Sequence, residues 1–221
     1  LAVGAYSEGS NETTITNGTS ASSNNSNSAS GAVYIYKRSG VNWQQEAYIK
    51  AVNNGSTDNF GSSVSISGDT LAVGASQEDS SATTITNGTT ASDPGTSNNS
   101  GAVYVYKRLG VNWQQEAYIK AVNNGANDSF GNSVSLSGET LAVGAYSEDS
   151  AVTTITNGTT ASSNNSNSAS GAVYIYKRSG VNWQQEAYIK AANNGVGDYF
   201  GYRVSLSGDT LAVGAYYEDS N

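Results

Sequence analysis

Apolar and polar residues alternate in short runs along this chain, and no run sustains the 3.6-residue period of a helix. Val64 and Ile66 alternate with Ser65 and Ser67, which predicts a strand. Gly68 and Asp69 then form a two-residue hairpin loop, where glycine supplies the positive φ that a tight turn needs. Residues 70–75 read as a second strand, with Leu71 and Val73 on one face and the small Ala72 and Gly74 on the other, suited to close approach of a neighbouring sheet. A long polar insert follows over residues 76–100. It holds one β-prone patch at 83–86 and turn formers at Asn87 and Gly88, at Asp93, Pro94 and Gly95, and at Asn98 and Asn99. Residues 102–107 are the third predicted strand, with Val103 and Val105 facing opposite to Tyr104 and Tyr106. After a hairpin at Gly110, residues 113–120 form the fourth. Trp113, Gln115, Ala117 and Ile119 are expected on one face, and Gln114, Glu116, Tyr118 and Lys120 on the other.

This pattern recurs. FGSSVSISGDTLAVGA at residues 60–75 returns at 130–145 and 200–215, and Leu1, Leu71, Leu141 and Leu211 are each 70 residues apart. The units are residues 1–59, which lack a first strand, then 60–129, 130–199, and 200–221, the first two strands of a further unit. A lone four-stranded antiparallel sheet buries too little, whereas sheets stacked face to face cover one another. The expected fold is all-β: tandem four-stranded antiparallel blades of a β-propeller, three repeats of 70 residues. Closed propellers have about four to eight blades. The chain is therefore expected to be a window of a longer array or an assembling subunit, an oligomer whose cut sheet edges pair with another chain.

Composition narrows the chemistry. No Cys and no His occur, which removes disulfides, thiol nucleophiles, imidazole bases and the usual zinc ligands. The net charge of −8 repels phosphate backbones and anionic membrane surfaces, so no nucleic-acid partner is expected. No apolar run reaches membrane-span length. The acidic, low-Lys, Asn/Ser/Thr/Tyr-rich composition is that of extracellular or cell-surface bacterial proteins.

Phe60 and Gly61, then Gly68 and Asp69, then Val73, Gly74 and Ala75, together with residues 101–106 and 113–120, resemble the FG-GAP repeat, the propeller blade of integrin α-subunits, in its bacterial secreted form. The resemblance covers the whole chain apart from the inserts, and implies a propeller that mediates adhesion. Integrin-type repeats place an Asp-x-Asp-x-Asp-Gly calcium loop between the first two strands. Here that connection is only Ser67, Gly68, Asp69 and Thr70, too short to wrap a cation needing about six to eight oxygens.

Strand alternation puts both tight hairpins at one end of a blade, and the insert and the inter-blade loop at the other. The units differ most at this insert end, where Asp58, Ser62 and Ser63 become Asp128, Asn132 and Ser133, then Asp198, Tyr202 and Arg203. Loops on a rigid scaffold commonly carry binding residues, so these are the candidate ligand-binding positions. The acidic pairs Glu78 and Asp79, Glu148 and Asp149, and Glu218 and Asp219 are candidate calcium ligands outside the family's position; the competing reading is solvated acid and turn capping. Trp43, Trp113 and Trp183 read as packing between blades or as a sugar-stacking series, and Lys37 and Arg38 with their copies as exposed hairpin charges. Asn17, Asn87 and Asn157 open glycosylation sequons that in a bacterial protein serve as turns.

The leading functional reading is a non-enzymatic extracellular scaffold that mediates adhesion or binds a protein or glycan partner through the insert end. Alternatives are a structural subunit of a fibre or surface layer, built from copies of the chain, and a glycan-active enzyme using paired carboxylates. Near-identity of the units argues against the enzyme, because an active site draws different residues from different blades.

Overall fold

The computed structural model describes residues 1–92 and 98–219. Asp93, Pro94 and Gly95 lie outside the described residues, so the turn expected there has no structural counterpart to report. Among the described residues sixteen strands are formed. The first unit contains β1 (Ala2–Ala5), β2 (Ile15–Asn17), β3 (Ala32–Ser39) and β4 (Asn42–Ile49). The second contains β5 (Phe60–Ser67), β6 (Thr70–Ala75), β7 (Ile85–Asn87), β8 (Ala102–Leu109) and β9 (Asn112–Ile119). The third repeats it with β10 (Ser133–Ser137), β11 (Thr140–Ala145), β12 (Thr156–Asn157), β13 (Ala172–Ser179) and β14 (Asn182–Ile189), and β15 (Phe200–Ser207) and β16 (Thr210–Ala215) open a fourth.

All pairing within the sheets is antiparallel, and the spatial order is β5-β6-β8-β9-β7 in the second unit and β10-β11-β13-β14-β12 in the third. The complete blade is therefore five-stranded rather than four-stranded. The added strand comes from the insert: Ile85–Asn87 lies along the outer edge, with Ile85 opposite Ile119 and Asn87 opposite Ala117. Three β-competent residues suffice here because β9 already presents a free ladder edge.

Successive sheets stack face to face and come closest at their first two strands, β5 and β6 against β10 and β10 and β11 against β15, so they converge as blades do round a propeller axis. One core joins the second and third blades through Val103, Val105, Ala117, Ile119, Phe130, Leu141 and Val143. The equivalent core between the first and second gathers Val33, Ile35, Ala47, Ile49, Phe60, Leu71 and Val73. Gly74 shows how tight the stacking is: an added Cβ would lie 1.9 Å from the carbonyl oxygen of Gly131 in the next blade. The expected role of the small face is thus realised, and the glycines of the FG and GA signatures meet across the blade interface.

The faces of the fourth strand differ from expectation. Trp113 joins Tyr118 on the face toward the first blade, while Ala117 and Ile119 face the third. The cause is a β-bulge: Tyr106 pairs with Gln115 and Val105 with Ala117, so Glu116 is an extra residue that shifts the alternation by one.

The convergent edges are closed by side chains. Ser65 Oγ accepts the Leu136 N–H at 2.9 Å and Ser67 Oγ the Gly138 N–H at 3.1 Å; one unit later Ser135 and Ser137 serve Leu206 and Gly208. The serines of the Val-Ser-Ile-Ser alternation thereby satisfy backbone donors of the next blade that no strand pairs.

Candidate functional site

The polar side chains that recur at the blade interfaces are directed at other parts of the fold. Glu78 is 2% exposed. Its Oε2 accepts from Lys120 Nζ at 2.7 Å and from the Ser80 N–H at 3.1 Å; its Oε1 accepts from Tyr118 Oη at 2.8 Å and from Asn53 Nδ2 of the preceding unit at 3.0 Å. Glu148 repeats the arrangement with Lys190, Ser150, Tyr188 and Asn123. Burial pulls the Lys120 and Lys190 ammonium groups below the ordinary lysine range, and the glutamates oppose that shift. Asp79 turns elsewhere: its Oδ1 accepts the Asn99 N–H at 2.7 Å, as Asp149 accepts that of Ala169. Glu218 accepts from Asn193 Nδ2 at 2.9 Å. Each complete Glu-Asp pair in the second and third units is therefore divided between an interior lysine knot and a loop. Among the described residues no three acidic side chains gather in a metal-holding group.

The aspartates before Phe-Gly are buried rather than displayed, at 5%, 5% and 2% exposure for Asp58, Asp128 and Asp198. Each accepts a backbone N–H three residues earlier, from Gly55, Gly125 and Gly195, and so closes the inter-blade turn. Burial, reinforced by Glu148 and Asp149, pushes the Asp128 carboxyl up to about 7, against the lowering effect of the Gly125 hydrogen bond. Ser62 donates to the Gly74 carbonyl, and Ser63 to that of Gly131 at 2.7 Å. Ser133, likewise buried, accepts the Val204 N–H at 3.0 Å. Asn132 donates to the Tyr202 carbonyl at 3.2 Å; Tyr202 itself is half-buried and Arg203 is exposed.

Trp113 and Trp183 pack between blades. They are 3% and 2% exposed, and their indole N–H groups donate to Glu46 and Glu116 of the preceding unit. Arg108 and Arg178 are not exposed hairpin charges, as their sequence position suggests, but clamps. Arg178 binds Glu116 of the preceding blade at 2.6 Å and Glu139 in the first hairpin of its own blade at 3.1 Å, and Arg108 likewise bridges Glu46 and Asp69. Grooves open beside these clamps between successive blades. One of about 450 Å³ is lined by Asn17, Gln44, Gln45, Glu46 and Val111, and its counterpart by Asn87, Gln114, Gln115, Glu116 and Val181. The acid in each groove is paired with the clamp arginine.

At the insert end, where β15 and β16 meet the third blade, tyrosines gather. Tyr146 lies 5.3 Å from Tyr199 and 5.4 Å from Tyr202, ring centre to ring centre. Tyr199 contacts Tyr217 at 5.3 Å, Tyr202 stacks on Tyr216 at 5.0 Å and 24°, and Tyr216 meets Tyr217 at 4.5 Å. The Arg203 guanidinium sits 4.6 Å over the Tyr202 ring. Sequence comparison of the units singles out Tyr202 and Arg203; it does not join them to Tyr146, more than 50 residues earlier, or to Tyr216 and Tyr217, because that convergence exists only in the stacked fold.

The stacked antiparallel blades and the Phe-Gly and Gly-Ala contacts between them define a propeller repeat protein. The chain matches the FG-GAP repeat over residues 43–106, 113–176 and 183–221, more than half its length, and it belongs to that family. No curated protein is similar enough to be matched. FG-GAP repeats are repeats of the protein-interaction and adhesion type, typical of extracellular and surface proteins and typically non-enzymatic. No helix among the described residues is long and apolar enough to cross a membrane.

Proposed function

We propose that this chain is a non-enzymatic extracellular adhesion module that engages a protein or glycan surface through the loops at its insert end. The observation that carries this reading is the division of labour among its residues. Repeated polar groups, such as Glu78, Asn87 and Arg178, hold blades together, while the largest changes from unit to unit lie at the insert end. Asn59, Ser62 and Ser63 become Ser129, Asn132 and Ser133, then Tyr199, Tyr202 and Arg203. A scaffold that keeps its interior constant and varies one rim is suited to recognition rather than to chemistry.

The test is adhesion of beads coated with the chain to bacterial and animal cell surfaces. Tyr199→Ser, Tyr202→Asn and Arg203→Ser together install the residues that the third blade already carries. This variant is expected to lose adhesion. Replacing the exposed hairpin-end Val41, Val111 and Val181 by Ser is expected to leave it intact. The reverse result would move the binding face to the opposite end.

A further inference from the structure

Resting on that reading, we propose that Tyr146, Tyr199, Tyr202, Tyr216 and Tyr217 form a stacking platform for a neutral carbohydrate. The fold has no need of aromatic residues there. In the second unit the pair equivalent to Tyr199 and Tyr217 is Asn59 and Gln77, joined by a hydrogen bond of 2.7 Å, and the pair equivalent to Tyr202 and Tyr216 is Ser62 and Ser76. Polar pairs satisfy the same backbone, so the tyrosines answer to something outside it. They also converge from two blades. Tyr146 on the third buttresses Tyr199 and Tyr202 on the next, and the position that Tyr217 holds is exposed in the complete second blade too, at Gln77.

The chemistry of the patch selects the ligand. A pyranose presents weakly positive C–H groups on its flat face, which pair with the negative face of an aromatic ring. Its hydroxyl rim needs donors and acceptors, and phenol hydroxyls and Arg203 supply them; the Arg203 Nη1 donates to the Tyr202 carbonyl at 2.8 Å, and the guanidinium carries further N–H groups. An organic cation is disfavoured, because Arg203 already occupies a cation position over Tyr202. An anionic glycan is disfavoured by the net charge of −8 and by Glu218 and Asp219 directly after Tyr217.

The experiment titrates the chain with cellohexaose, laminarihexaose, mannohexaose and chitohexaose, read by calorimetry and by saturation-transfer NMR. At least one is expected to bind with Kd of about 10 μM to 1 mM. The Tyr202→Asn, Tyr216→Ser variant, with an unchanged melting curve, is expected to bind at least about tenfold more weakly, the loss of two stacking rings. Absence of binding across the panel, or equal binding by the variant, overturns the platform. The bead assay separates the two readings. Adhesion that needs Tyr202 but is neither competed by these sugars nor removed by periodate treatment of the cells means a protein partner, and sinks the carbohydrate proposal alone. Adhesion that is indifferent to the insert end sinks the insert-face reading.

Discussion

The carboxamide of Asn87 holds both backbone groups of Trp183 in the next blade: Oδ1 accepts the Trp183 N–H at 2.8 Å, and Nδ2 donates to the Trp183 carbonyl at 3.4 Å. Asn17 does the same to Trp113. One side chain thus substitutes for a strand at the outer edge of each interface. Asn87→Ala leaves a partly buried N–H unmet and is expected to cost about 1–3 kcal/mol. Chemical denaturation followed by tryptophan fluorescence measures it. A loss of less than about 0.5 kcal/mol would mean that water replaces the amide.

Gly74 and Gly144 occupy the same place in the repeat and give the same expectation. At Gly74 an added methyl would lie 1.9 Å from Gly131 O and 2.4 Å from Ser63 Oγ, and at Gly144 it would lie 2.0 Å from Gly201 O. Gly74→Ala must separate two blades and is expected to cost about 1–3 kcal/mol or more. Gly144→Ala meets the backbone of the next blade in the same way and is expected to cost a similar amount. Urea unfolding of the two variants side by side checks this, and a loss below about 0.5 kcal/mol at either would show that the blades can part without strain.

These two residues also mark how far the sequence could be read. Local chemistry was legible: the alternation around Val64, the tight turn at Gly68, and the small face of β6 are properties of neighbouring residues, and the 70-residue period multiplied them into blades. What escaped depends on partners distant in the chain. The bulge at Glu116 flips Trp113 to the other face and leaves no local signature. Arg178 looks like a hairpin charge until Glu116, 62 residues earlier, is brought against it. Glu78 and Asp79 look like a pair of ligands, yet the strand end separates them, one toward Lys120 and one toward Asn99. A signal for the first existed: Glu78, Tyr118, Lys120 and Asn53 recur unchanged as Glu148, Tyr188, Lys190 and Asn123, the constancy of an internal network rather than of a solvated surface.

That network yields a third prediction. Glu78 and Lys120 are 2% and 0% exposed at their side chains, and each is held by further hydrogen bonds. Removing one partner strands the other charge, so Glu78→Gln or Lys120→Met is expected to cost about 3–5 kcal/mol. The pair Glu78→Leu with Lys120→Met is expected to cost clearly less than the sum of the single changes, which a double-mutant cycle measures. Because Lys120 occupies the Glu78 carboxylate, calcium chelation is expected to leave the melting temperature unchanged; a fall on adding chelator would show that the acids bind a cation after all.

Asp128 sets a pH dependence whose sign can be worked out. Its carboxyl titrates near 7 in the fold, because burial disfavours the charge, and near the ordinary carboxylate value when unfolded. Between about pH 4 and 7 the native state therefore holds a proton that the unfolded chain has released. Stability from this group is present at low pH and is lost as pH rises, by up to about 1.4 kcal/mol per pH unit. An asparagine in place of Asp128 would still accept the Gly125 N–H through its carbonyl oxygen, and would never ionise. Asp128→Asn is therefore expected to gain stability relative to the parent steadily from about pH 4.5 to 7, whatever its offset at the acid end. Denaturation curves at four pH values decide it, and parallel curves for variant and parent would show that Asp128 is ionised in the native turn throughout that range.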